Sequence, residues 1–251
     1  PTLITELGRR MLAFPLHPRY ARLLLAAHDA GCVYHAALIA ALTQGRDLLL
    51  RKVDRDTLRT REDRLGDRAT SDFFHLIRAW EFAADADFRL EACQRVGIHA
   101  GTARQVGPLL ENFLRIAREQ GLDTTPRELE EAALRRCILL AFSDHVARRL
   151  DAGTLRCELV HRRRGVLTRE SAVQDAPLLV VADVREVGGR EGEVNTLLSL
   201  ATAIEPAWLE ELFPGDLGGE THTWYDPTAR RVWAERRLTF RGLMLDARRV
   251  D

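Results

Sequence analysis

Apolar positions in the first half of the chain recur every three to four residues, the spacing of helices that bury one face. Leu3, Ile4 and Leu7 are already spaced for burial when Pro1 begins, which reads as a cut end. Gly8 and Pro15 bracket Arg9 to Phe14. Pro18 sits where a first helical turn tolerates proline, and Ala21, Leu24, Leu25 and His28 follow on one face until Gly31. Val33, Ala37, Leu38 and Ala41 predict a second short helix ending before Gly45. Arg46 to Thr70 is dense in charge of both signs and reads as a solvated, poorly ordered connection. Ser71 is placed to cap a helix carrying Phe73, Ile77, Trp80 and Ala84, and Phe88 to Val96 makes another that Gly97 ends. His99 to Gln120 is a longer amphipathic helix in which Pro108 should cause a kink or mark the true first turn. Thr125, Pro126 and Glu128 form a Thr-x-x-Glu capping box, the strongest single helix start in the chain.

After Gly153 the period changes from helical to alternating, which places a domain boundary near residue 152. Leu155, Cys157 and Leu159 alternate with polar neighbours, and Val166 to Val173 can return as the partner strand across a turn from His161 to Gly165. Pro177 to Val187 is a third strand ending at Gly188-Gly189, and Glu193 to Leu200 a fourth. Pro206 to Phe213 reads as a short helix, Trp224 to Trp233 as a hairpin across Asp226 to Ala229, and Leu238 to Val250 as a last strand. The fold class expected is α+β: a helical part, then five or six short antiparallel strands forming a small barrel or sandwich.

Composition narrows the function less than the pattern does. The 37 basic residues balance 37 acidic ones, and Lys52 is the only lysine. Net charge therefore names no partner. Arginine offers a planar fork to phosphates, although a genome that spells its cations as arginine explains the bias as well. The four cysteines never approach a C-x-x-C spacing, so neither a zinc ribbon nor a redox pair is indicated. No apolar run reaches the roughly 20 residues needed to span a bilayer, and the reading is a soluble, cytoplasmic chain without a membrane role.

A P-loop requires Gly-x-x-x-x-Gly-Lys before Ser or Thr, and Lys52 lies between Arg51 and Val53, so no such loop exists in this sequence. The spacing of Gly188, Gly189 and Gly192 suits a turn better than a nucleotide site. His28 with His35, or His17 with His75, could meet in space, but no third ligand or nucleophile accompanies either pair, and core or interface roles fit them better. Ser71 and Ser143 read as caps. No catalytic residue, metal ligand or cofactor is assigned.

Two hairpins carry the candidate chemistry. His161, Arg162, Arg163 and Arg164 occupy the tip of the first, where guanidinium groups could hold phosphates, and a solvated turn explains them equally well. The second carries Trp224, Tyr225, Arg230, Arg231, Trp233, Arg236 and Arg237, rings interleaved with cations as in single-strand binders. For Trp233, packing inside the sheet is the favoured role. Arg162, Arg163, Arg164, Arg230, Arg231 and Trp224 are the candidate nucleic-acid contacts.

The segment Thr5 to Ala27, with its glycine and Pro15-Leu16-His17-Pro18 step ahead of a helix, resembles the entry to the helicase-associated region of DEAH-box helicases. Phe74 to Trp80, Leu134 to Phe142 with Asp144 to Arg148, Leu155 to Leu159 and Arg163 to Leu167 look like the bacterial HrpB-type branch. The resemblance implies the end of a winged helix and the first helix of the helical domain over 1–30, a helical ratchet-like domain over 31–152 and an OB-like β-domain over 153–251. It further implies upstream RecA-like motor domains that bind ATP and magnesium, more chain beyond Asp251, and a single-stranded RNA path lined by this region. The fragment alone should not hydrolyse ATP. A protein-interaction module docking on the motor domains is the competing expectation, and an independent hydrolase ranks last.

Overall fold

The computed structural model describes residues 5–188 and 194–250 and divides into two compact units. One contains the chain through Phe142 together with Glu170–Gln174, and the other contains Ser143–Arg169 and the residues from Asp175 onward.

The first unit is helical: α1 (Glu6–Met11), α2 (Pro18–Asp29), α3 (Val33–Thr43), α4 (Arg55–Leu65), α5 (Asp72–Asp85), α6 (Leu90–Val96), α7 (Ala100–Glu119) and α8 (Glu131–Ala141). Helix α3 is the axis of this unit. His35 through Leu42 are all buried, as a helix apolar on every side must be, and α2, α5 and α7 pack around it while α8 lies against α2. Helix α2 begins at Pro18, and the His17 ring Nδ1 accepts the Arg19 amide at 3.3 Å. Ser71 caps α5 as expected, its hydroxyl accepting the Phe73 amide. The next residue, Asp72, is buried, and its carboxylate accepts the Ser171 hydroxyl at 3.0 Å and the Ala172 amide at 2.8 Å.

Three local expectations are corrected. The charged stretch after Arg46 contains α4, capped by the Asp54 carboxylate on the Thr57 amide at 2.8 Å. Only Leu65 of that helix is buried, so no apolar stripe announces it. Its Arg61 guanidinium instead donates to the carbonyls of Val96 (2.9 Å), Gly97 (2.8 Å) and Leu50 (3.1 Å), two of which belong to the last turn and cap of α6, where intrahelical donors run out. The Thr125 capping box opens no helix. Asp123 captures both the amide and the hydroxyl of Thr125 through Oδ1, residues 122–130 are irregular, and α8 starts at Glu131. Pro108 does not mark a first turn, because α7 starts eight residues earlier behind His99, whose Nδ1 accepts the Thr102 amide at 3.1 Å.

The second unit holds a closed five-stranded barrel in the order β1-β2-β3-β5-β4, from β1 (Val146–Arg149), β2 (Arg156–Leu159), β3 (Arg163–Leu167), β4 (Leu178–Gly188) and β5 (Val194–Ala203). This is an α+β chain with an OB-like barrel. Strand β1 carries no alternating pattern and was not expected. The return strand stops at Leu167, short of the predicted Val173. Strand β5 inserts between β3 and β4, so β3 and β5 run parallel, where antiparallel pairing was expected throughout. Gly189, Gly192 and Glu193, which the sequence reading placed in a turn and a strand start, lie outside the described residues, as do Leu3 and Ile4.

Helix α9 (Pro206–Leu212) follows, then a separate sheet of β6 (Leu217–Asp226), β7 (Arg231–Phe240) and β8 (Leu243–Val250) in the order β6-β7-β8. The predicted hairpin is present, with Trp224 opposite Trp233. It builds its own sheet and adds no strand to the barrel. Leu238 to Phe240, assigned to the tail strand, belong to β7, and the chain turns at Arg241 and Gly242, both at positive φ. Among the described residues no helix is long and apolar enough to cross a membrane.

Candidate nucleic-acid interface

The first hairpin turns over Val160–Arg162, earlier than the His161 to Gly165 turn predicted. His161 and Arg162 both adopt left-handed backbone conformations, at φ of 61° and 58°, which cost non-glycine residues roughly 1–2 kcal/mol each. Such a turn persists only where its surroundings hold it. Here the His161 amide donates to the Arg241 carbonyl at 3.1 Å. Arg162 is exposed at the tip. Arg163 and Arg164 are on β3, also exposed, and they differ in what engages them. The Arg163 guanidinium donates to the Asp144 carbonyl at 2.9 Å and braces the turn. Arg164 stands opposite Glu158, which in turn faces Arg148, so a cation-anion-cation row crosses the outer face of the barrel. Arg148 and Glu158 approach to 3.8 Å.

The bracing centre is Arg241, a residue that no motif or period in the sequence singles out. Its guanidinium pairs with the Asp216 carboxylate at 2.7 Å, donates to the Ser143 hydroxyl at 3.1 Å, and lies 4.9 Å from the Phe240 ring centroid and 5.2 Å from that of Phe213. Ser143, read as a helix cap, serves as this acceptor. A positive φ of 46° at Arg241 is held by its own amide, which donates to the Asp216 carbonyl.

The second group of candidates sits on the β6-β7-β8 sheet. Residues directly opposite share a face, so Trp224, His222 and Glu220 of β6, Arg231, Trp233, Glu235 and Arg237 of β7, and Arg249 of β8 lie on one side. Arg231 lies 3.9 Å and Arg249 4.9 Å from the Trp233 ring centroid, and His222 stacks on Trp224 at 5.8 Å. Trp233 is half-buried, with Arg231 and Arg249 against its ring. The alternate face of β7 is the one that buries Phe240 beside Phe213, and Trp233 points the other way. Arg230 is exposed beside the hairpin turn.

The structure does not gather the two groups into one site. The 160–162 turn meets the Phe240 end of β7 through Arg241, whereas Arg231 begins β7 at its far end. A strand of that length spans on the order of 30 Å. The histidine pairs suggested by sequence do other work: His28 Nδ1 accepts the Asp123 amide, and His17 caps α2. Burial holds the His35 and His75 imidazoles below their ordinary value, with the Arg61 and Arg78 charges adding to the effect at His75. Among the described residues no group of three or more His, Cys, Asp or Glu side chains is placed to hold a metal ion.

Residues 17–85, from the cap of α2 to the end of α5, match the helicase associated domain (HA2), ratchet-like. The Escherichia coli (strain K12) ATP-dependent RNA helicase HrpA is 22% identical over 99% of this chain and 19% of its own length. The Caenorhabditis elegans RNA helicase rha-2 is 25% identical over 59% of this chain and 15% of its own. This chain thus spans a fifth or less of these relatives. Among solved structures, that of the E. coli DExH-box NTPase HrpB superposes with a TM-score of 0.59 and 16% identity, covering 98% of this chain and 24% of that one. Residues 17–85 are thus similar to a ratchet-like helicase-associated domain, and the helical unit with its OB-like barrel shares the fold of the matched part of the HrpB structure.

Proposed function

We propose that this region is the RNA-facing accessory part of an ATP-dependent RNA helicase, in which the helical unit lines the single-stranded RNA path and the β unit holds its phosphates. The observation that carries the reading is the ratchet-like match over α2 to α5, in a chain whose barrel presents an exposed and strained arginine turn. Arg162 and Arg164 make backbone contacts, and Arg163 contributes the donors it does not spend on Asp144. Arg230, Arg231 and Trp224 contact the strand further along. ATP and magnesium belong to RecA-like motor domains on the same protein, which are the second partner. This region couples their movement to translocation and turns over no ATP by itself. The setting is the cytoplasm.

Fluorescence anisotropy with labelled single-stranded RNA tests the reading. Binding weakened by Arg162→Ala and Arg164→Ala supports it, and undetectable binding of the unmodified chain overturns it. The neutral net charge favours a second reading, a module that docks on the motor domains without touching RNA. Co-purification with separately expressed motor domains in the absence of any RNA affinity would select that one.

A further inference from the structure

We infer that the face of the β6-β7-β8 sheet carrying Trp224 and Trp233 is a base-stacking site for unpaired RNA, separate from the arginine turn on the barrel. The inference rests on the RNA-facing reading and deepens it, adding Trp233, Arg249 and Arg237 to the residues that touch the strand.

Each face of a strand either packs or meets solvent. On β7 the face ending in Phe240 packs at that end, where Phe240 is fully buried with Leu243 opposite it. The Trp face is its reverse. Trp224 and Trp233 lie directly across from one another there, half-buried. Both rings are only partly covered, so part of each remains open to solvent. The opposite face at the same level carries Tyr225 and Val232, 60% and 66% exposed, so this end of the hairpin is not a core that one side completes.

Electrostatics and ring chemistry then select the occupant. Between Leu217 and Val250 arginines outnumber acidic residues seven to four, in a chain that is neutral as a whole. The excess points to a polyanion. Arg231 and Arg249 approach the Trp233 ring from two different strands, at 3.9 and 4.9 Å, and a guanidinium over an indole is attracted by the ring while keeping its N–H edge able to donate. These contacts limit the freedom of two long side chains before any ligand arrives, so less is lost when they bind a phosphate. Aromatic rings that stack bases beside arginines that hold the backbone bind single strands with little regard to sequence. A duplex keeps its bases stacked on each other and has no free base face to offer.

The site also stands apart from the barrel turn by about the length of β7, on the order of 30 Å. A short oligonucleotide can engage one site and a longer one both, which makes affinity depend on length.

The test uses the whole chain and fluorescein-labelled oligouridine and oligoadenine of short and long lengths, with anisotropy as the readout and circular dichroism to confirm folding. Trp233→Leu should weaken long single-strand binding roughly tenfold, Trp233→Phe should retain most of it, and duplex RNA of the same length should compete poorly. Arg249→Ala and Arg237→Ala, at strand positions outside the core, give a second route should Trp233→Leu fail to fold. Long RNA bound equally well by the parent, Trp233→Leu, Trp224→Leu and Arg249→Ala chains, yet weakened by Arg162→Ala, would overturn the stacking site and leave the RNA-facing reading intact. No RNA binding by the parent chain would remove both.

Discussion

Closure of the barrel depends on a missing side chain at Gly165. This residue lies on β3 in the inward row with Cys157 of β2, and Leu198 of β5, itself fully buried, packs over it. A methyl group at Gly165 would meet Leu198 Cγ and Cδ2 at 2.9 Å and Cδ1 at 3.1 Å. Carbon atoms in contact prefer about 3.5–4.0 Å, so Gly165→Ala forces Leu198 or strand β5 to move by several tenths of an ångström. Overpacking of this kind costs about 1–3 kcal/mol. Restricting the unfolded chain by removing a glycine returns about 0.4–1 kcal/mol. The net loss should be about 1–2 kcal/mol, measured by urea denaturation followed by fluorescence of Trp208, which is buried in the same unit. Leu198→Ala alone should cost about 2–5 kcal/mol through its cavity. Because the new methyl occupies that cavity, the double variant should be more stable than the sum of the two losses by about 1 kcal/mol. A Gly165→Ala protein as stable as the parent, or strictly additive losses, would refute the packing argument.

Arg241→Ala removes the pair with Asp216, the bond to Ser143 and two ring contacts, and should cost about 2–3 kcal/mol in the same denaturation assay. Arg241→Lys keeps the charge but loses the fork, so it should recover only part of that. In the helical unit, His35 and His75 titrate below their ordinary value of 6.5. The unfolded chain therefore takes up protons that the folded chain refuses, so stability is complete above about pH 6.5 and falls as pH drops below it. Urea midpoints between pH 7.5 and 5.5 should show that fall, and His35→Gln should flatten it.

The parts of the fold legible in the sequence are those where one local signal decides the outcome. Pro18 and the stripe through Ala21, Leu24 and Leu25 announce α2, Ser71 announces α5, and Gly97, at φ of 68°, ends α6. Helix α4 was hidden because Arg61 secures it through carbonyls distant in sequence. The Thr125 box misled because a nearer acceptor, Asp123, competed for the same donors. Strand β1, through its pairing with β4, and the parallel β3-β5 pair depend on partners 30 to 34 residues away, which no local period records. At the candidate interface the residue types were legible, in Arg162 to Arg164 and in the Trp224 hairpin. Their separation was not, and neither was the role of Arg241, because a single arginine after Phe240 carries no pattern.

Salt dependence of single-stranded RNA binding by the whole chain tests the central claim most directly. If several arginines neutralise phosphates, the logarithm of the affinity should fall linearly with the logarithm of salt concentration, with a slope near −0.7 per contact and thus about −2 or steeper for three or more. Arg162→Ala should make that slope shallower by roughly one contact. An affinity that does not change with salt, or a slope identical in parent and variant, would contradict the account.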